Sequence, residues 1–166
     1  MKAMREGTLE LAVPPGVRVR KFDGAEHGLS HCMKAVDFVV EDGERIFLIE
    51  IKDPDDPGAP GGSGADFLKG LIEGKKDDEL VRKYRDSFLY LWAEVVEGKK
   101  WTYCVLVAAK ELEDALLLWR TEELRRKLPV DGPGGRWRRR FADGCVVCNI
   151  AAWNRHLPQF RARRLG

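Results

Sequence analysis

Asp37, Glu50 and Lys52 are the residues whose types and spacing could do chemistry. They interrupt two otherwise apolar runs, Ala35 to Val40 and Arg45 to Lys52, that flank Asp42-Gly43. Asp-Gly between such runs is a strong short-range hairpin signal. Ionised groups inside strands this hydrophobic are expensive to bury unless they bind a metal or each other. Two carboxylates converging at a strand end suit a hard divalent cation, Mg²⁺ or Mn²⁺, which takes oxygen ligands and keeps several waters. Such a cation lowers the pKa of a bound water and polarises a phosphoryl oxygen. A lysine beside it can hold the attacking water and offset negative charge developing in the transition state. The bland alternative is a cross-strand ion pair of Lys52 with Asp37 or Glu50.

Those residues must be positioned by the hairpin. With Asp42 and Gly43 as the loop, Glu41 would pair with Glu44, Val40 with Arg45 and Asp37 with Leu48. Side chains alternate faces along a strand and opposed residues share a face. Asp37 then points to the side of Ile46, Leu48, Glu50 and Lys52, lying diagonally across from Glu50. The other face carries Val36, Phe38, Val40, Phe47, Ile49 and Ile51, all apolar.

Asp37 followed by Glu50-Ile51-Lys52 on such a hairpin resembles the PD-(D/E)XK nuclease superfamily. The resemblance implies a restriction-endonuclease-like α/β fold, a mixed β-sheet with a central β-hairpin flanked by helices. It also implies that Asp37 and Glu50 bind the metal, that the Ile51 carbonyl is a further ligand, and that Lys52 is catalytic. Val36 stands where that family often has proline, and no long acidic helix opens the chain. The implied activity is metal-dependent hydrolysis of phosphodiester bonds in nucleic acid, DNA before RNA. The alternative is a non-catalytic nucleic-acid-binding or partner subunit that keeps the nuclease-like fold.

Residues 8–23 alternate apolar and polar around Pro14-Pro15-Gly16 and read as a short strand or hairpin. Residues 2–12 could instead form a short helix presenting Glu6 or Glu10 to the site. From the polar stretch 24–34, Glu26 is the best extra metal ligand, with His27 and His31 as weaker candidates. Residues 53–65 hold the Pro- and Gly-rich run DPDDPGAPGGSG and read as a flexible loop. A short helix over 66–73 follows. From Asp77 a 3.6-residue period places Leu80, Val81, Tyr84, Phe88, Leu91, Trp92 and Val95 inward, with Asp77 or Asp78 as N-cap and Gly98 as stop. In the superfamily this helix packs across the sheet near the active site. Lys83, Arg82 and Lys76 at its start are candidate phosphate contacts, Lys83 first.

Residues 101–109 read as a doubly buried strand. Residues 111–127 read as a helix with Leu112, Leu116, Trp119 and Leu124 inward, and residues 144–152 as another buried strand. Cys145 and Cys148 have CxxC spacing, but their Val-Val spacer reads as strand, which favours buried, inert thiols over zinc.

The chain has 166 residues, is 44% hydrophobic and 34% charged, and carries a net charge of +2, which reads as one globular domain, 1–166. No apolar run approaches a membrane span and no signal-peptide core is evident, so no membrane is expected and the location reads as cytoplasmic, intracellular. The near-neutral charge hides an asymmetry: from Arg136 onward there are eight arginines and one acid, Asp143. Arg138, Arg139 and Arg140 are candidate nucleic-acid contacts, and residues 155–166 read as a basic tail. Nucleic acid is the expected partner, binding phosphates without base readout. Two-strand cutting would favour a homodimer, and a partner protein would supply any sequence preference.

Overall fold

The computed structural model describes residues 2–94 and 96–166. The chain opens with β1 (Lys2–Glu6) and β2 (Leu9–Val13), an antiparallel hairpin turning at Gly7-Thr8. There is no helix at 2–12. The stretch 8–23 is two strands of different sheets, because β3 (Arg18–Lys21) leaves β2 and pairs with β4 (Phe38–Asp42). β5 (Arg45–Lys52) completes the central hairpin. Helices α1 (Ser63–Ile72) and α2 (Asp77–Ala93) follow, then β6 (Lys100–Val107), α3 (Asp114–Lys127) and β7 (Gly144–Cys148). A short α4 (Ile150–His156) and β8 (Ala162–Arg164) end the chain.

Among the described residues the architecture is mixed α/β, with two sheets and four α-helices. The larger sheet runs β3-β4-β5-β6-β7; β3, β4 and β5 are an antiparallel meander, and β5, β6 and β7 are parallel. The smaller sheet, β1-β2-β8, is antiparallel throughout. One face of the large sheet packs Val39, Ile46, Leu48, Tyr103, Val105 and Val147 against α1, α2 and α3. The opposite face packs Phe38, Val40, Phe47, Ile49 and Ile51 against Met4, Leu9 and Leu11 of the small sheet and Trp153 of α4. Both faces of the central hairpin are therefore buried, as its near-continuous apolar character requires.

The turn is Gly43-Glu44, not Asp42-Gly43, since Asp42 pairs with Arg45 and Phe38 with Ile49. Gly43 takes the left-handed φ of +57° at the first turn position. The register thus shifts by two residues, an even number, so every face assignment within the strands survives. Val36 is the exception. It precedes β4 and joins the helix-side core, where its N–H donates to Ser87 Oγ at 3.0 Å.

Several other expectations are corrected. α2 begins at Asp77, but its N-cap is Lys76; Asp77 instead pairs with Arg120 and Lys127 of α3. Its last residue is Ala93, ahead of Gly98. Trp92 is 58% and Trp119 50% exposed, while Leu117, Arg120 and Thr121 take the buried face of α3. Val95 lies outside the described residues. The strand expected over 144–152 stops at Cys148, where Asn149 caps α4 by accepting from the Ala152 N–H at 2.8 Å. Residues 155–166 are no free tail: β8 pairs with β2, and Arg164 forks onto Asp53 with two 2.7 Å bonds. The loop after β5 is tied down at its base, with Thr8 Oγ1 also donating to Asp53 and Asp55 accepting from the Lys110 N–H. No helix among the described residues is long and apolar enough to cross a membrane.

Candidate active site

The last ladder pair of the hairpin is Phe38–Ile49, so the next position sets Asp37 directly across from Glu50. Asp37 is no longer in the strand, and its carboxylate replaces the missing ladder partner: Oδ2 accepts from the Ile51 N–H at 2.6 Å. A strand residue directs its N–H and C=O to the same side. Lys52 C=O accepts from Ala108 on the β6 side, so Ile51 faces the other way, and its carbonyl points to the side of Asp37. Asp37, Glu50 and the Ile51 carbonyl thus gather at one end of β5.

Glu50 is wholly buried on the helix-side face. Its Oε1 accepts from Lys83 Nζ at 2.6 Å and pairs with Lys52 Nζ at 3.0 Å; its Oε2 is buried with no partner. Lys52 Nζ also lies 3.4 Å from Glu79 Oε1. Lys83, expected to meet phosphate, is instead the second ammonium on Glu50. Glu79 precedes it by one helical turn, and the two therefore share the flank of α2 that overlooks the end of β5.

Burial first, and then the charge of Glu50, push the Asp37 carboxyl up to about 8, against the Ile51 N–H and Lys83, which lower it. For Lys52, burial presses the ammonium pKa down, but Glu50, Glu79 and Asp37 outweigh it and the net shift is upward. Asp37, crowded against Glu50 in a dry corner, favours a proton that a cation could replace.

Beside Lys52 is a depression of about 170 Å³ lined by Lys52, Asp53, Pro54, Ser63, Gly64 and Phe67. Lys52 and Lys76 Nζ each lie 5.8 Å from the centre of the Phe67 ring. A Cβ on Gly64 would stand 1.9 Å from the Pro54 carbonyl oxygen, so only glycine lets α1 start this close to the loop.

Glu26 is exposed on a short 3₁₀ turn, Ala25–His27. His27 is buried against Tyr90, with ring centres 4.5 Å apart, and His31 is exposed. Glu6 pairs with Lys21 and stays close enough to Asp37 for its charge to help raise that carboxyl, whereas Glu10 pairs with Arg5 and Arg163. Arg82 faces solvent and pairs with Asp86. Arg138, Arg139 and Arg140 are exposed, and the last two line a groove of about 720 Å³ with Trp92 and Trp101. Trp101 pairs with Ile46, four residues before Glu50 along β5, roughly 13 Å away at strand rise. The arginine cluster therefore sits toward the opposite end of the sheet. Cys145 and Cys148, three apart on β7, pack on opposite faces of it and cannot share one ion.

No family model matches the sequence, and neither a curated protein nor a solved structure is found to be similar to it. Function rests on the geometry alone.

The donor set fits a hard cation in kind: two carboxylates and a carbonyl, with one buried carboxylate oxygen lacking any partner. Among the described residues no three of His, Cys, Asp and Glu gather as a cage, so waters and substrate oxygens would complete the shell. Glu79, Phe67 and Lys83's role were missed in the sequence. The i, i+4 spacing of Glu79 and Lys83 on one flank of a helix was the available signal.

Proposed function

We propose that this protein is a divalent-cation-dependent phosphodiester hydrolase acting on nucleic acid, DNA first, with a restriction-endonuclease-like fold. The observation that carries the reading is Asp37 set across from Glu50, with its carboxylate on the Ile51 N–H and Lys52 beside Glu50. The mixed sheet around a central hairpin and the passage of α2 across the strand end support the fold assignment.

Asp37, Glu50 Oε2 and the Ile51 carbonyl would hold Mg²⁺ or Mn²⁺. A cation there supplies an activated water and polarises the phosphoryl oxygen. Asp37 would hold such a cation as its deprotonated carboxylate. Lys52, held by Glu50 and Glu79, orients the water and offsets charge developing on the phosphoryl oxygens. Lys83 balances Glu50 from the helix side. Phe67 and Lys76 flank the depression through which a scissile phosphate would reach Lys52.

A second reading is a non-catalytic nucleic-acid-binding subunit. It is favoured by the two lysines on Glu50 Oε1, which more than neutralise that carboxylate without a cation. Incubating plasmid and single-stranded DNA with Mg²⁺, Mn²⁺ or EDTA tests the choice. Metal-dependent cutting lost in Glu50→Gln supports the hydrolase; binding without cutting supports the subunit.

A further inference from the structure

Three places outside the site carry enough chemistry to weigh. The Trp92–Arg140 groove is on the far flank of α2 from Lys83 and mixes Lys99, Arg139 and Arg140 with Glu97 and Asp143, so its charge selects no partner. The buried Asp77–Arg120 pair is enclosed between helices. The outer face of the small sheet has both a defined shape and a net positive charge.

On that face Arg5, Glu10 and Arg163 form one row across the three strands, and Ala3 and Ala12 form the next, with Arg161 at its end. Lys2 closes the rim, and together these residues line a depression of about 480 Å³. Arg5 and Arg163 flank the Glu10 carboxylate, and Arg161 and Lys2 line the same depression farther from it. Glu10 is nearly buried on the floor, and Arg163 foremost, then Arg5, hold its carboxyl below the usual range. It fixes both guanidinium groups in place, while their other N–H donors remain exposed. The alanines keep the floor low between the cations.

The position of this face relative to the site is equally specific. One residue along β8, Arg164 turns to the other side and clamps Asp53, the residue after Lys52. The Gly7-Thr8 turn abuts the same loop: Thr8 donates to Asp53, and Gly7 lies against Asp56. The basic face therefore borders the strand end that carries Asp37, Glu50 and Lys52.

We propose that the outer face of the small sheet is a docking platform for the phosphate backbone of nucleic acid, delivering the chain to the end of β5. The choice of nucleic acid as the polyanion rests on the hydrolase reading; the platform itself rests on Lys2, Arg5, Arg161 and Arg163. Cations that meet phosphates without reading bases bind by counterion release, so affinity should fall steeply with salt.

The test is binding of a fluorescent duplex DNA to the full chain in EDTA over a salt series. Wild type is compared with a Lys2→Glu/Arg161→Glu double variant and with Arg139→Glu/Arg140→Glu. The platform variant should bind about tenfold more weakly, with a salt slope smaller by roughly two. The groove variant should bind as wild type does. Equal melting temperatures show that the platform variant is folded; Arg161→Gln, which reverses no charge, should give a smaller loss in the same direction. Unchanged binding in the platform variant, or a loss confined to the groove variant, overturns the proposal. So does preference for phosphatidylserine vesicles over DNA. If binding behaves as expected but no metal supports cleavage, the hydrolase reading fails and the platform stands.

Discussion

Lys83 reaches across from α2 and donates to Glu50 Oε1 at 2.6 Å, the same oxygen that Lys52 meets at 3.0 Å. One oxygen of a fully buried carboxylate thus carries two ammonium groups while the other carries none. A divalent cation at Oε2 must share Glu50 with both.

Lys83→Met removes the competing cation while leaving Lys52 in place. Mg²⁺ affinity, read from the rise in melting temperature with metal concentration, should increase about tenfold, corresponding to ~1.4 kcal/mol. If Lys83 only braced the fold, the variant would melt lower and its metal response would not change.

Asp37 sets a pH dependence. Its folded pKa, about 8, lies above its unfolded value, so without metal its contribution to stability is full below about pH 4. That contribution drains away as pH rises toward 8, because the unfolded chain releases the proton first. In EDTA, wild type should lose stability from pH 5 to pH 8 more steeply than Asp37→Asn, whose amide oxygen can still accept from Ile51. With Mg²⁺ present, affinity should rise over the same interval as the proton is displaced. Parallel melting profiles for the two proteins would contradict the assignment.

Asp77 and Arg120 are 2% and 3% exposed, and their pair ties the start of α2 to α3. Breaking it strands a buried charge. Arg120→Met should cost about 3 kcal/mol in urea unfolding, the low end for such a change, since Lys127 still lies 3.0 Å from Asp77. Asp77→Asn/Arg120→Met should recover part of that loss.

Gly64→Ala should force α1 away from the Pro54 carbonyl, since no side chain can move aside for a backbone oxygen. The expected cost is about 1–3 kcal/mol. Because Gly64 also lines the depression beside Lys52, cleavage should fall further than stability alone explains. A variant as stable and active as wild type would remove the depression from the mechanism.

The central hairpin was legible because its strands are apolar, rich in β-branched residues and broken only by groups with a reason to be there. Its register was not. Gly43 occupies the first turn position here, and only the parity of the slip kept Asp37 and Glu50 on one face. Leu112 and Leu124 are buried as their spacing predicts, but Trp119 is displaced because Arg120 points inward to meet Asp77, 43 residues earlier, a pairing that no local period can reveal. β8 was hidden for a similar reason. An arginine-rich end looks like solvated chain until Glu10 and Asp53, both distant in sequence, give Arg163 and Arg164 their partners. α4 was the avoidable miss, since Asn149 is a ready N-cap inside a run read as strand.

The most direct measurement is cleavage of plasmid and single-stranded DNA by wild type and Lys52→Ala, each in Mg²⁺, Mn²⁺ or EDTA. The expected result is metal-dependent cutting by wild type, none in EDTA, and a loss of at least about a hundredfold in Lys52→Ala. Metal-dependent cutting of equal rate in both proteins would contradict the assignment of Lys52. No cutting by the folded wild type under any metal would contradict the hydrolase itself.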